Sequence, residues 1–347
     1  MWNLNLESAV NKTTKKLDEF ISDFFEWVII NKLTKSPYEL EKEIKNCSSK
    51  LCKVAQQNPT LRKFMIEFTK SKYKFEILYD YFYQVDKYDE ILEQGTKSYS
   101  ENLQFVKDCF DYFYSNLIEN ETFLIQYQPN SEMSIKNNFR NAVKSVYRVC
   151  PYCDLKEVVH SSDISIDHFL PKSKYPLLSI NSTNLIVSCS GCNDRIKRAS
   201  IYFPIFHPFK HRINENIDLK FNIYLPPYSI KLLPKTMGIV KEQVENYELL
   251  FNLNETYSER INILFYELQK LRGKVKKSYI KQRAGRNNKS LIKTLLTMEI
   301  EQAIEDKRLL KGKMQFSKLY LDFYNYLLEE NILKKQVNYI YFNNRIQ

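Results

Sequence analysis

Residues 150–193 read CPYCDLKEVVHSSDISIDHFLPKSKYPLLSINSTNLIVSCSGCN, and this stretch decides the fold. It opens on Cys150 and Cys153 and closes on Cys189 and Cys192, two CxxC pairs. A CxxC turn lets two thiolates reach one ion, and zinc takes four such ligands tetrahedrally. The pattern predicts one structural Zn2+ per chain. Residues 154–188 lie between the pairs, a longer insert than the roughly 15 to 20 residues of a compact zinc ribbon, so something folded must fill it. The β-branched runs Ile164 to Ile166 and Leu185 to Val187 predict strands near 163–168 and 184–188. A long loop joins them, and the second cysteine pair opens into a helix at about 190–199.

Working outward, the 347-residue chain has six glycines and 14% aromatic residues, and its long Leu/Ile/Phe/Tyr periodicities predict a largely helical protein. Leu17, Phe20, Ile21, Phe24, Phe25, Val28 and Ile29 recur at helical spacing and predict one amphipathic helix over 7–32. Ser36, Pro37 and Glu39 supply an N-cap, an N1 proline and an N3 acid, which announce the next helix. Asn58-Pro59 begins another, Gly95 breaks the pattern, and helices follow near 100–119 and 132–148. The last carries Ile135, Phe139, Ala142, Val143, Val146 and Tyr147 on one face. After Lys210 a strand is expected at 218–224 and helices near 254–283, 288–312 and 314–331. The expected fold is mainly α with a central α+β module: a helical region over 1–135, the zinc-stapled module over 136–212, and a mostly helical region over 213–347.

A net charge of +11 and a pI of about 9.0 make a polyanionic partner plausible through counterion release and steering. No run of about 18 apolar residues exists, and Glu7, Asp18 and Glu19 stand where a secretory signal carries no acid. A soluble, cytoplasmic protein without a membrane partner is expected. In that reducing compartment seven cysteines do not make a disulfide framework, and Cys47, Cys52 and Cys109 fall on helical patterns as small buried groups.

Inside the insert stands Asp167-His168. A hard cation such as Mg2+ or Mn2+ takes carboxylate and carbonyl oxygens, while attack of water on a phosphodiester needs a base titrating near neutrality. The pair offers one of each. Successive side chains of a regular strand point to opposite faces, so both serve one site only where the strand ends or distorts, and Pro171 is consistent with an ending. Asn193 follows Cys192 directly, so zinc would fix its position, and its amide oxygen is a second candidate metal ligand. Lys197, four residues on, shares that face and could meet a phosphate.

In this order the residues resemble the HNH, or ββα-metal, endonucleases, in the zinc-stapled form shared with phage endonuclease VII. The resemblance covers about residues 145–200. It implies that Asp167 is the metal-binding acid and His168 the general base. It makes Asn184 the residue that holds the loop and Asn193, in place of a histidine, the metal ligand that closes the motif. Cys150, Cys153, Cys189 and Cys192 match the zinc ligands, and Lys172, Lys174 and Tyr175 match loop residues of bacterial members. The resemblance further implies a divalent-metal endonuclease acting on DNA in bacterial antiphage defence or restriction, beside a separate ATPase or sensor protein; the helical flanks, separately, are candidates for partner binding, homo-oligomer formation or target recognition. An RNA substrate, or a zinc-dependent nucleic-acid-binding scaffold without catalysis, are the alternatives. The intact Asp167, His168 and Asn193 set argues against the scaffold.

Outside the motif, Lys136, Arg140, Lys144 and Arg148 at steps of four form a basic ridge leading into Cys150. Residues 272–293 hold Arg272, Lys274, Lys276, Lys277, Lys281, Arg283, Arg286, Lys289 and Lys293 with no acid, and Tyr279 is expected to be available for stacking. Sequence-neutral phosphate binding needs little more. Of the remaining histidines, His160 and His211 are given no role, and His207 is close enough in sequence to support the site.

Overall fold

The computed structural model describes residues 7–96, 103–129, 133–160, 164–211, 213–282, 288–310 and 313–343, with side chains from residue 15 onward. Among these described residues it is mainly helical, with two small two-stranded antiparallel sheets. Among the described residues no helix is long and apolar enough to cross a membrane. The chain groups into two compact units, one made of 4–148 and 158–209, the other chiefly of 149–157 and 210–347.

Among the described residues the first unit begins with the helices α1 (Glu7–Ile30), α2 (Pro37–Asn46), α3 (Lys50–Gln57), α4 (Pro59–Lys70), α5 (Lys74–Asp86), α6 (Tyr88–Gln94), α7 (Gln104–Ser115), α8 (Glu121–Tyr127) and α9 (Ile135–Val146). The expected start signals act as expected. Ser36 Oγ accepts from the Glu39 amide at 3.3 Å while the Glu39 carboxylate accepts from the Ser36 amide at 2.6 Å, a complete capping box. Asn58 caps α4 by accepting from the Leu61 amide at 2.9 Å. The core is aromatic: Phe20 and Phe24 of α1 meet Phe113 of α7 edge-on, at 5.0 and 5.1 Å between centroids. Such pairs add about 0.5–1.5 kcal/mol each beyond simple burial. Ile29, expected on the buried stripe of α1, is instead 46% exposed, because the stripe drifts past it in the last turn. Cys52 and Cys109 are buried as expected, but Cys47 is only half-buried. Gly95 ends α6 at φ 69°, and a Cβ there would press into the Phe203 ring, so two constraints select glycine.

This unit then forms the hairpin β1 (Ile164–His168) and β2 (Leu185–Cys189), followed by a π-helical turn, Gly191–Lys197. A single wide turn replaces the expected longer helix. The connecting loop contains two short 3-10 turns, Pro176–Leu178 and Ser182–Asn184.

The second unit holds a compact turn at 149–157, then α10 (Ile213–Asn216), β3 (Ile217–Asn222), β4 (Ser229–Pro234), α11 (Ile239–Phe251), α12 (Leu253–Ser258), α13 (Ile261–Lys281), α14 (Lys289–Leu309), α15 (Ser317–Leu328) and α16 (Glu330–Asn343). Strand β3 alternates, with Ile217, Leu219 and Phe221 buried and their neighbours exposed. The strand β4 and the helices α11 and α16 were not expected, and the stretch expected as one helix from 254 is split into α12 and α13. The turn at 149–157 is held from several sides. Tyr247 and Tyr257 donate to the carbonyls of Tyr152 and Cys153 at 3.1 and 2.9 Å. Asp154, at φ 57°, accepts the Phe316 amide on its carbonyl and the Lys318 amide on its carboxylate, both at 2.7 Å.

Candidate active site and metal centre

The Sγ atoms of Cys150, Cys153, Cys189 and Cys192 all lie within 4.8 Å of one another, and all four residues are buried and free of disulfides. At a Zn–S distance of about 2.3 Å, tetrahedral sulfurs stand about 3.8 Å apart, so these four thiols need only a small contraction to hold a zinc ion. The Cys192 amide donates to Cys189 Sγ at 3.4 Å, the kind of contact that stabilises a thiolate in such a turn.

Between the cysteine pairs, β1 pairs with β2 without a bulge, Asp167 opposite Ile186 and His168 opposite Leu185. The strand ends at His168. Asn184, just before β2, is fully buried and uses its whole side-chain amide. Its oxygen accepts from the Leu170 amide at 2.7 Å and from the Tyr88 hydroxyl at 2.9 Å, and its nitrogen donates to the carbonyls of Leu170 at 3.0 Å and Leu178 at 3.3 Å. One residue therefore fixes both ends of the loop.

Asp167 and His168 are both buried. The His168 Nε2 lies 2.9 Å from the Ser179 carbonyl, which can only accept, so Nε2 carries the proton and Nδ1 keeps its lone pair. Tyr114 packs edge-on against the ring at 4.3 Å. Burial lowers the His168 pKa to about 4, the Ser179 hydrogen bond opposing and nearby Lys172 and Lys197 assisting, so the ring is neutral at pH 7.

Lys197 was expected to reach toward a phosphate, and the fold gives it another position. Its side chain is fully buried, with Nζ 3.1 and 3.0 Å from the two Asp167 oxygens and 2.9 Å from the His168 carbonyl. The reason is electrostatic: a buried carboxylate needs a partner, and Lys197 on the π-helical turn is placed to supply one. Burial pushes the Lys197 pKa down and Asp167 opposes that. Asn193 donates its Nδ2 to Ser165 Oγ at 2.8 Å, two residues before Asp167 on the same face of β1. The turn thus brings Asn193 and Lys197 against one face of the strand, whereas His168 reaches Ser179 and Tyr114.

The other candidates are dispersed. Arg140 and Lys144 sit half-buried on α9, and Lys172 and Lys174 stand on the loop, Lys172 paired with Asp111. Lys277 and Lys281 are exposed on α13 and Lys276 is half-buried; Arg283 and Arg286 lie outside the described residues. Tyr279 is not available for stacking: Leu264, Leu268, Leu271, Val275 and Tyr279 share the buried stripe of α13, and its hydroxyl accepts from the Asn288 amide. Arg272 is also committed, to Gln336 and the Tyr339 ring, and Lys274 pairs with Glu299 across to α14. His160 is exposed. His207 is buried with both ring nitrogens engaged, Nε2 at 3.0 Å from the Thr183 carbonyl and Nδ1 accepting the Phe209 amide at 3.2 Å, and so braces the loop next to Asn184. Tyr88 and Tyr114 were not found by sequence reasoning, since each lies in an ordinary aromatic helical pattern.

No family model and no solved structure matches the chain. The chain is similar to Septu protein PtuB of Bacillus thuringiensis, 29% identical over 129 residues, which is 33% of this chain and 50% of that protein. The chain therefore spans about half the length of the curated relative it matches.

Proposed function

We propose that this chain is a divalent-metal-dependent HNH-type endonuclease that hydrolyses DNA in antiphage defence. The observation that carries the reading is His168: buried, neutral at pH 7, with Nε2–H engaged by Ser179 so that Nδ1 is the acceptor. In this reading Nδ1 removes a proton from the attacking water, a general-base contribution of about 10² to 10⁴ in rate. The Ser179 carbonyl keeps the ring in the tautomer that can do so, and Asn184 keeps the loop that carries Ser179 in place. Asp167 and Asn193 would hold Mg2+ or Mn2+, which supplies positive charge to the phosphate oxygens as negative charge builds there. Carboxylate and amide oxygens fit a hard cation, and the Asp167 carboxylate with the His168 carbonyl already surrounds a positive charge, that of Lys197. The similarity to a protein of Septu, an antiphage defence system, supports the defence setting.

The Lys197–Asp167 ion pair also favours a second reading, a zinc-fixed nucleic-acid-binding module that does not cut, because Asp167 is already neutralised. Incubating the protein with plasmid, linear duplex, single-stranded DNA and RNA, each with Mg2+, Mn2+ or EDTA, separates the two. Divalent-dependent cleavage of DNA is the expected result. Cleavage of RNA alone would change the substrate class, and binding without cleavage under every condition would leave the second reading.

A further inference from the structure

Tyr114, on α7 and outside the motif, touches His168 with its ring and donates its hydroxyl to the Ile166 carbonyl at 3.4 Å. Cations gather around that ring. Lys136 Nζ lies 4.5 Å and Lys172 Nζ 5.8 Å from its centroid, and Arg140, one turn beyond Lys136 on α9, acts on both Tyr114 and Lys136. Burial lowers the Lys136 pKa, Glu119 opposes that, and Arg140 and Lys172 add to it. Glu119 answers Lys136 at 3.8 Å and Asp111 answers Lys172. Arg140 has no carboxylate among the described residues: its Nη1 donates to Asn137 at 3.0 Å, and its Nε is buried without an acceptor. A guanidinium presents its donors as a planar fork that matches two oxygens of one phosphate, and the unmet Nε leaves part of that fork without an acceptor.

We propose that Lys136 and Arg140, together with Lys172 around Tyr114, bind a backbone phosphate of the nucleic acid beside the phosphodiester presented to His168. The proposal rests on the nuclease reading and extends it to residues of α7 and α9. Three cations facing two carboxylates leave one positive charge to be met, and a phosphodiester carries one negative charge.

The test uses the full chain carrying His168→Ala, in EDTA, so that binding is read without cleavage. Fluorescence anisotropy with a labelled DNA duplex, its single strand and an RNA of the same sequence gives Kd as a function of salt. Lys136→Gln with Arg140→Gln should weaken binding of the preferred probe about tenfold or more and flatten the log–log salt slope by about 0.9, one phosphate contact. Arg140→Lys, which keeps the charge and loses the fork, should recover only part of the affinity. Lys63→Gln, exposed on α4, should change neither quantity. Unchanged affinity and slope in the double variant, an equal loss in Lys63→Gln, or no binding of any probe would each overturn the proposal. In the chain with His168 intact, cleavage with unaltered KM in the double variant would leave the nuclease reading standing and remove the phosphate site. Binding that depends on Lys136 and Arg140 without divalent-dependent cleavage would do the reverse.

Discussion

At the scale of single residues, the site is defined by which atoms are already spoken for. His168 gives away one nitrogen and keeps the other, so His168→Ala should reduce cleavage at least 100-fold in a single-turnover assay, the lower end of what a general base contributes. Because the ring packs at the edge of an intact hairpin, zinc content by atomic absorption should be unaltered. Lys197 makes the opposite kind of prediction. Its ammonium pairs with the buried Asp167 carboxylate, and breaking such a pair from one side typically costs about 3–5 kcal/mol. Lys197→Met should therefore lower the urea midpoint sharply, and adding Asp167→Asn should restore much of the loss. A small effect of Lys197→Met would mean that Asp167 is well solvated, against its burial. Asp167, His168 and Asn193 were legible in the sequence as candidate residues, but the lysine's partner was not, because helical spacing says which face a side chain shares and not what it meets across the interface.

At the scale of elements, local signals were read well where the backbone itself enforces them. The Ser36–Pro37–Glu39 start, the Asn58 cap and the Gly95 stop are chemical requirements of helix ends, and each is present in the fold. The strands β1 and β2 were found because short β-branched runs between loop residues leave little choice. The misses have physical causes as well. The strand β4 carries the sequence SIKLLP, whose single alternation is too short to stand out, and the helix expected from 254 is divided at Glu259 and Arg260, while Asn252 in a left-handed conformation separates α11 from α12. Tyr279 was misjudged for a related reason: one aromatic among many cations looks exposed until the stripe it continues is seen to be buried. For the turn at 149–157, the sequence offered two cysteines, while the fold adds backbone contacts from Tyr247, Tyr257, Phe316 and Lys318. Cys150→Ser removes one of four candidate ligands, and structural zinc contributes directly to folding. The variant should bind less zinc and unfold at a lower temperature than the parent, whereas equal zinc content would rule out the four-cysteine site.

At the scale of the whole molecule, a net charge of +11 favours nucleic acid over neutral partners but does not say which surface is used. The segment 272–293 illustrates the difficulty. As a sequence it is a run of bases; in the fold Arg272, Lys274 and Lys289 have partners, and the cations around Tyr114 come from two separate stretches of chain, α9 and the loop after β1. Contacts assembled across sequence are invisible to a linear reading. Replacing Lys277 and Lys281 with glutamate should accordingly change the salt dependence of DNA binding less than the α9 double variant does, a ranking that anisotropy titrations can check.

Asn184 has a consequence for how the protein ages in solution. Lys172 and Lys174 are trypsin targets on a long connection, where proteolytic nicking would ordinarily begin. A protease must unfold several residues on either side of the bond it cuts, and four side-chain hydrogen bonds from Asn184 oppose that opening at both ends. The connection should therefore survive digestion as long as the hairpin does, and the rate of cutting there becomes a clock for local opening of the loop between β1 and β2.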